Sequence, residues 1–286
     1  MTENIPVTSG SIRQAASALK KLRPAYTAIL DFYEQIFVIQ KEAESELKID
    51  TAALKITYQK PDFPLIRVSD FIIDTEASEL LFKKICEIAR QTNASVSGTA
   101  EIMLSAVETE KIHLKPLFSA LLNEEPVFEK TARECDIDKA ILVFVIYQSI
   151  QPSLSRTAEY LSADTAEKEA GYEKGCCPVC GSLPAISTLE GEGGRRFLFC
   201  SFCRHKWPTR RIACPFCENR NTEKLHYLYS EEEKEYRTDV CESCGKYIKT
   251  VDLRKTGRIF YAPLEQIATL HLDMKAKEAG FKSAIG

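Results

Sequence analysis

The sequence predicts two kinds of structure in one chain. A mostly α, helical-bundle domain covers residues 1–170. A small β-rich module with four CxxC knuckles covers 171–258, and a C-terminal helix in 259–286 packs back. Three observations carry this reading. Before residue 170, apolar residues recur at spacings of three and four, the stripe of an amphipathic helix. Nine of the 11 cysteines lie between Cys176 and Cys244. Glycine and turn signals increase where the cysteines begin, which places a boundary near Ala170.

In chain order, the segment "AYTAILDFYEQIFVIQKEAESEL" carries Ile29, Phe32, Tyr33, Ile36 and Phe37 on one helical face. "TEASELLFKKICEIARQ" repeats the stripe with Leu81, Ile85, Ile88 and Ala89, and Asp74 stands where an N-cap belongs. "GTAEIMLSAV" and "LKPLFSALLN" read as shorter helices, with Pro116 in the first turn of the latter. "DIDKAILVFVIYQSIQPSL" reads as a buried helix ended or kinked near Pro152. Between the first two helices, "PDFPLIRVSDF" reads as an ordered loop over the bundle rather than a partner-binding segment. At the far end, "APLEQIATLHLDMKAKEAG" has Pro263 near its start and Gly280 past its end, with Leu264, Ile267, Ala268 and Leu272 as its stripe.

The helical part offers little chemistry. Cys86 falls on an apolar face, Cys135 near a helix end, and His113 just before a helix; none is read as a nucleophile or ligand. The net charge of −3 and the even mix of charges give no electrostatic case for nucleic acid or a membrane surface. The longest apolar run, "AILVFVIY", is far short of the roughly 20 residues that span a bilayer. "MTENIPVTSG" shows no basic region followed by an apolar run. The expectation is a cytoplasmic protein, and in that compartment clustered thiols more often bind metal than form disulfides.

The cysteine module is a duplication. The CxxC pairs are Cys177/Cys180, Cys200/Cys203, Cys214/Cys217 and Cys241/Cys244, separated by 19, 10 and 23 residues. A CxxC turn can aim two thiolates at one cation, and two such turns complete a tetrahedral set. The first two pairs recur 37 and 41 residues later. Each copy has a knuckle with proline after its first cysteine, CPVC or CPFC, then a hairpin, then a second knuckle. In the first copy the hairpin turns at "EGEGGR" and returns as "RFLFC"; in the second, "LHYLYS" and "YRTDVC" flank "EEEKE". The duplication favours sequential pairing over crossed arrangements. Cys177, Cys180, Cys200 and Cys203 would hold one metal; Cys214, Cys217, Cys241 and Cys244 would hold the other.

Gly181 and Gly245 follow the second cysteines of their knuckles, where a positive φ turns backbone N–H groups toward sulfur. From Tyr172 to Arg258 there are 16 Lys and Arg against 12 Asp and Glu, a surplus of 4. Four thiolates on a divalent ion leave −2, so two filled sites would cancel that surplus. Metal binding, at about 10–16 kcal/mol per structural site, would supply the folding energy that so small a module lacks. Four protein ligands leave no open position for catalysis. Cys176 reads as a spare thiol and His205 as a surface residue. Trp207, among Arg204, Lys206, Arg210 and Arg211 in "RHKWPTRR", reads as packed into the module, with phosphate or base contact as the alternative. Zinc and iron both accept this donor set, so two metal ions per chain, iron or zinc, are expected.

"CPVCGSLP", "RRFLFCSFCRHKWPTRRIACPFC" and "CESCGKYIKTVD", in that order behind a helical domain, resemble the formate dehydrogenase accessory protein family, the FdhE type. "IATLHLDMKAKEAGF" is similar to that family's closing helix, which leads into a Gly-aromatic pair, here Gly280-Phe281. The strong match runs from Gly175 to Asp252. The resemblance implies a rubredoxin-like metal module in a cytoplasmic, non-catalytic maturation factor. Its partner would be the catalytic subunit of a respiratory formate dehydrogenase, bound before export. It implies no nucleic acid and no membrane insertion, and leaves homo-oligomerisation open. "RIFYAP" ahead of the closing helix and the end at Gly286 depart from the family pattern; they bear on partner identity more than on metal binding. Two other classes compete with this reading: a nucleic-acid-binding zinc ribbon, and an iron-tetrathiolate electron-transfer protein.

Overall fold

The computed structural model describes residues 7–54, 63–92, 94–123, 125–163 and 171–285. Its helices are α1 (Ser9–Leu22), α2 (Thr27–Ala43), α3 (Thr75–Ala89), α4 (Ala94–Glu108), α5 (Leu114–Asn123), α6 (Val127–Cys135), α7 (Lys139–Ala163), α8 (Ala262–Ala268) and α9 (Leu270–Glu278). Its strands are β1 (Pro184–Glu190), β2 (Arg195–Cys200), β3 (Lys206–Thr209), β4 (Leu225–Tyr229), β5 (Tyr236–Cys241), β6 (Lys246–Asp252) and β7 (Lys282–Ser283).

Packing divides the chain into two compact units: residues 31–57 with 66–157, and residues 1–30 with 58–65 and 158–286. This partition differs from the one that composition suggests, because α1 belongs with the sheet.

The first unit is helical. α3 buries Leu81, Phe82, Ile85, Cys86 and Ala89, so Phe82 and Cys86 join the expected stripe while Ile88 is only half-buried. Asp74 caps this helix, its Oδ1 accepting from the Ala77 N–H at 3.1 Å. In α2, Ile36 and Phe37 are buried as expected. α7 does not end at Pro152; it runs through it to Ala163. A proline inside a helix leaves the carbonyl one turn back without its usual N–H. The side chains around it are polar and buried: Gln148, Ser149, Gln151 and Ser153. Gln148 is tied to Gln40, whose Nε2 donates to the Gln148 carbonyl at 2.7 Å.

The second unit is a sheet with a helical layer. The strand order is β3-β2-β1-β6-β5-β4, and β7 adds to β6 beyond the end of β1. Each sequence repeat makes a three-stranded antiparallel meander, and a parallel β1–β6 pair fuses the two meanders. β1 is therefore central and buried along its whole length. The third strand of each copy, β3 and β6, follows directly from the second knuckle and has no separate turn signal in the sequence.

On one face of the sheet, Ile186, Tyr236 and Val251 pack with Ala262 of α8 and Leu272 of α9. The closing segment is two short helices rather than one. Thr269 breaks it: its Oγ1 bonds back to the Glu265 carbonyl at 2.6 Å and its φ of −115° is not helical. α1 starts at a capping box, with the Thr8 Oγ1 accepting from the Ser11 N–H at 3.1 Å. It packs on α8, and Arg23 behind it pairs with Glu233 at 2.5 Å and lies over the Tyr236 ring. Among the described residues no helix is long and apolar enough to cross a membrane.

Candidate metal centres

The four CxxC knuckles share one backbone design. In three of them the N–H of the residue after the second cysteine donates to the carbonyl of the first: Gly181 to Cys177 at 2.8 Å, Glu218 to Cys214 at 3.0 Å, and Gly245 to Cys241 at 2.9 Å. That residue is left-handed in every knuckle, with φ of 77° at Gly181, 60° at Arg204, 58° at Glu218 and 67° at Gly245. The glycines were legible as such. Arg204 and Glu218 were not, although the repeat offsets of 37 and 41 residues align Glu218 with Gly181 and Arg204 with Gly245. Backbone donors then reach the sulfurs: the Phe202 and Cys203 N–H groups donate to Cys200 Sγ at 3.3 and 3.4 Å, and Phe216 donates to Cys214 Sγ at 3.5 Å.

The sulfurs gather as two sets, Cys177, Cys180, Cys200 and Cys203, and Cys214, Cys217, Cys241 and Cys244, all within 4.8 Å of one another inside each set. Sequential pairing is thus the arrangement in space. Cross-knuckle separations are 3.7 Å for Cys177–Cys203, 3.4 Å for Cys180–Cys200, and 3.7 Å for both Cys214–Cys244 and Cys217–Cys241. A tetrahedron with metal–sulfur bonds of about 2.3 Å has edges of about 3.8 Å. The cages therefore have the size that a tetrathiolate zinc or iron ion requires.

The electrostatics make the same demand. Burial pushes the Cys177 and Cys203 thiols up. Cys180 is driven far down because its sulfur accepts from Cys177, Cys200 and Cys203. One thiolate thus takes the hydrogen bonds of its neighbours, since four cannot ionise side by side without a cation. In the second set burial raises Cys214 and Cys244. Burial opposes ionisation of Cys241 as well, but the Cys244 and Ser243 N–H groups and the Cys217 and Cys214 side chains outweigh it and bring it to about 7. A divalent ion fits both donor sets.

The two centres differ in their cover. All four cysteines of the first are buried, whereas in the second Cys217 is exposed and Cys244 half-buried. The first is covered by a segment outside the repeats. The Leu65 N–H donates to the Pro178 carbonyl at 2.9 Å, and the Phe63 ring meets Tyr172 edge-on at 4.6 Å. In "PDFPLIRVSDF", Pro61 and Asp62 lie outside the described residues; Phe63 to Leu65 cover a knuckle rather than the bundle. The two copies also meet at Gly175. A Cβ there would lie 1.6 Å from the Pro215 carbonyl oxygen, so only glycine fits.

The other candidates fall outside both cages. Cys176 Sγ lies 3.0 Å from the Tyr172 hydroxyl. Cys86 is buried and its thiol is pushed up to about 12, chiefly by burial. His113 is exposed. His205 stacks on Trp207 with ring planes 1° apart, and is no ligand. Trp207 is fully buried, its Nε1 donating to the Lys174 carbonyl at 3.1 Å, which excludes it as a stacking platform for bases. One element escaped the sequence altogether, a buried polar centre on the opposite face of the sheet from α8 and α9. There the Arg196 guanidinium donates to Asp239 at 3.0 Å and to the Ala213 carbonyl at 3.1 Å, and the Thr250 hydroxyl donates to Asp239 at 2.6 Å.

Comparison with known proteins follows the same division. Residues 176–211 match the family model "FdhE, central domain", and residues 212–285 match "FdhE, C-terminal domain". The seam between the two falls between the repeats. The chain is 28% identical over 272 residues to the FdhE homologue of Aquifex aeolicus, covering 92% of this chain and 88% of that one. It is 29% identical to the homologue of Proteus mirabilis, covering 92% and 82%. It is 33% identical to the FdhE protein of Escherichia coli over 119 residues, 41% of this chain and 38% of that one. The crystal structure of the FdhE protein from Pseudomonas aeruginosa has the same fold, with a TM-score of 0.68 at 21% identity over 98% of this chain and 95% of that one. Two consecutive FdhE domain models match residues 176–285, and FdhE homologues align along nearly the whole chain, so the chain is similar to FdhE proteins in sequence and in fold.

Proposed function

We propose that this protein is an accessory, chaperone-like factor needed to form active formate dehydrogenase, and that it binds the enzyme's catalytic subunit in the cytoplasm before export. The observation that carries this reading is the pair of closed tetracysteine cages in a chain of FdhE type. Cages whose four corners are all cysteine give a metal no open position for substrate, so their role is to hold a surface in shape. In this reading Cys177, Cys180, Cys200, Cys203, Cys214, Cys217, Cys241 and Cys244 bind two ions per chain, iron or zinc, and no residue is catalytic. The net charge of −3 and the burial of Trp207 weigh against a nucleic-acid-binding ribbon.

The test is genetic and biochemical together. The tagged full-length chain is expressed in a host lacking its own copy, and formate dehydrogenase activity and co-purifying proteins are measured. Restored activity with the catalytic subunit bound to the tag supports the proposal. Full activity without the chain, or restoration with no subunit bound, refutes it. The exposure of Cys217 favours a second reading, electron transfer through an iron-tetrathiolate centre. Visible bands that bleach and recover over a redox cycle of the anaerobically purified protein would support that reading, and a colourless protein would exclude it.

A further inference from the structure

The sheet has two end strands, β3 and β4, and they are finished differently. β3 is closed. Pro208 sits within it, the Trp207 Nε1 donates to the Lys174 carbonyl at 3.1 Å, and the Thr209 hydroxyl donates to the Glu173 carbonyl at 3.2 Å. Proline and a covering segment are two devices that keep an edge from pairing. β4 has neither. Its register with β5 is unbroken from Leu225 to Tyr229, and among the described residues nothing pairs with its outer edge. None of its five residues is Lys, Arg, Asp, Glu or Pro. Tyr227 is 56% exposed and Tyr229 62%.

Carboxylates bracket this open edge. From Glu223 to Glu235 there are five glutamates against two lysines, Lys224 and Lys234. Glu233 is taken by Arg23 and His271, and Glu242, beside the start of β4, lies 3.2 Å from His226. Glu223, Glu231 and Glu232 are exposed, and among the described residues no ion pair holds them. The other cations nearby lie inward, on β5 and just past β6, and are already paired. Arg237 meets Asp239 at 2.9 Å, Arg254 meets Asp252 at 2.7 Å, and Lys255 meets the same Asp252 at 3.7 Å. A filled second centre would add −2 at Cys241, the strand partner of Leu225. That is about 5 Å across the ladder, inside the screening length of about 8 Å at physiological salt. The metal charge therefore adds to that of the carboxylates at this end.

We propose that the free edge of β4 takes up an extended basic segment of a partner protein as a further strand, with Lys or Arg on one face and apolar residues on the other. The two faces of β4 dictate that alternation. Tyr227 and Tyr229 share one face, their ring centroids 5.7 Å apart. Leu228 lies on the other, packed with Val240, Tyr247 and Ala276. Arg237 already lies 5.1 Å from the Tyr227 centroid, so the Tyr229 ring is the one left for an incoming cation. Glu231 and Glu232 stand just past it, and Glu223 and Glu242 at the opposite end. Main-chain hydrogen bonds to the edge supply affinity, and the alternating side chains supply specificity. The partner is defined by this chemistry alone, independently of the formate dehydrogenase reading.

The test uses the full-length metal-loaded chain and a fluorescein-labelled peptide of about nine residues alternating Val with Lys, followed by anisotropy at physiological salt. Saturable binding is expected, weakened at least tenfold in Glu231→Lys/Glu232→Lys and at least threefold in Tyr229→Ser. Peptides with Gln or Glu in place of Lys leave the protein untouched and should bind at least tenfold more weakly, which keeps the test valid should a variant fail to fold. Methylating one set of alternate peptide nitrogens should abolish binding, and methylating the other set should not, because only one set faces β4. No saturable binding of the Lys peptide, equal binding of the Gln or Glu peptide, unchanged affinity in Glu231→Lys/Glu232→Lys, or the same response to both methylated sets overturns the proposal.

Discussion

The two tetracysteine cages have the same four-cysteine donor set, the same knuckle geometry and nearly the same sulfur separations, yet one is sealed and the other is open. In the first, all four cysteines are buried; in the second, Cys217 faces solvent. The repeat encodes what the two share. The difference comes from chain outside the repeat: Phe63 to Leu65 and Tyr172 lie over the first copy, and nothing equivalent among the described residues lies over the second. A duplicated motif thus specifies a four-cysteine cage, while unduplicated segments decide how accessible that cage is.

That contrast can be broken by mutation. The largest effect is expected from Cys200→Ser in the sealed centre. It forfeits much of a metal-binding energy of about 10–16 kcal/mol and leaves buried thiols without their ion. The sheet unit should then unfold or aggregate, with loss of the buried emission of Trp207, the only tryptophan. Cys217→Ser should leave Trp207 buried and the chain soluble; matching losses in the two variants would erase the distinction. Gly175→Ala comes next. Its Cβ would meet the backbone of Pro215, which cannot swing aside, so a loss of about 3 kcal/mol is expected in urea unfolding. Gly193→Ala, with nothing within 4 Å of its Cβ, is the control and should change little.

Chelation sharpens the comparison without mutation. A chelator should remove one ion per chain quickly, through the face at Cys217, and the second only as the module unfolds. A single phase for both ions would show that cover makes no difference. The smallest effect is expected at the left-handed residues that are not glycine. Glu218→Gly relieves a conformation that costs an L residue about 1–2 kcal/mol, offset in part by unfolded-chain entropy. A gain of up to about 1 kcal/mol in urea unfolding is expected; a loss would mean that the Glu218 side chain matters more than its backbone.

Much of the candidate site was legible because the CxxC knuckle is a local motif. A CxxC turn needs only four consecutive residues, and the offsets of 37 and 41 residues already paired the knuckles correctly. The helices α2, α3 and α7 and both hairpins were likewise readable from periodicity and turn residues. What escaped were non-local facts. α1 has a capping residue at Thr8 and a stripe of Ile12, Ala15, Ala16 and Leu19, but its small apolar residues made a weak signal, and its packing on α8 links the two ends of the chain. β3 and β6 lie just after knuckles and gain their partners only once the meander closes. The break at Thr269 depends on a side chain bonding back to its own helix. The Arg196–Asp239 pair joins two strands 43 residues apart, which no periodicity can announce.

The most direct test of the account is the metal content of the full-length chain purified without oxygen, wild type beside Cys217→Ser. Two ions per chain in the wild type and one in the variant, the remaining ion resisting chelation, is the predicted result. Fewer than one ion per chain in the wild type, or a variant that loses both, would contradict it.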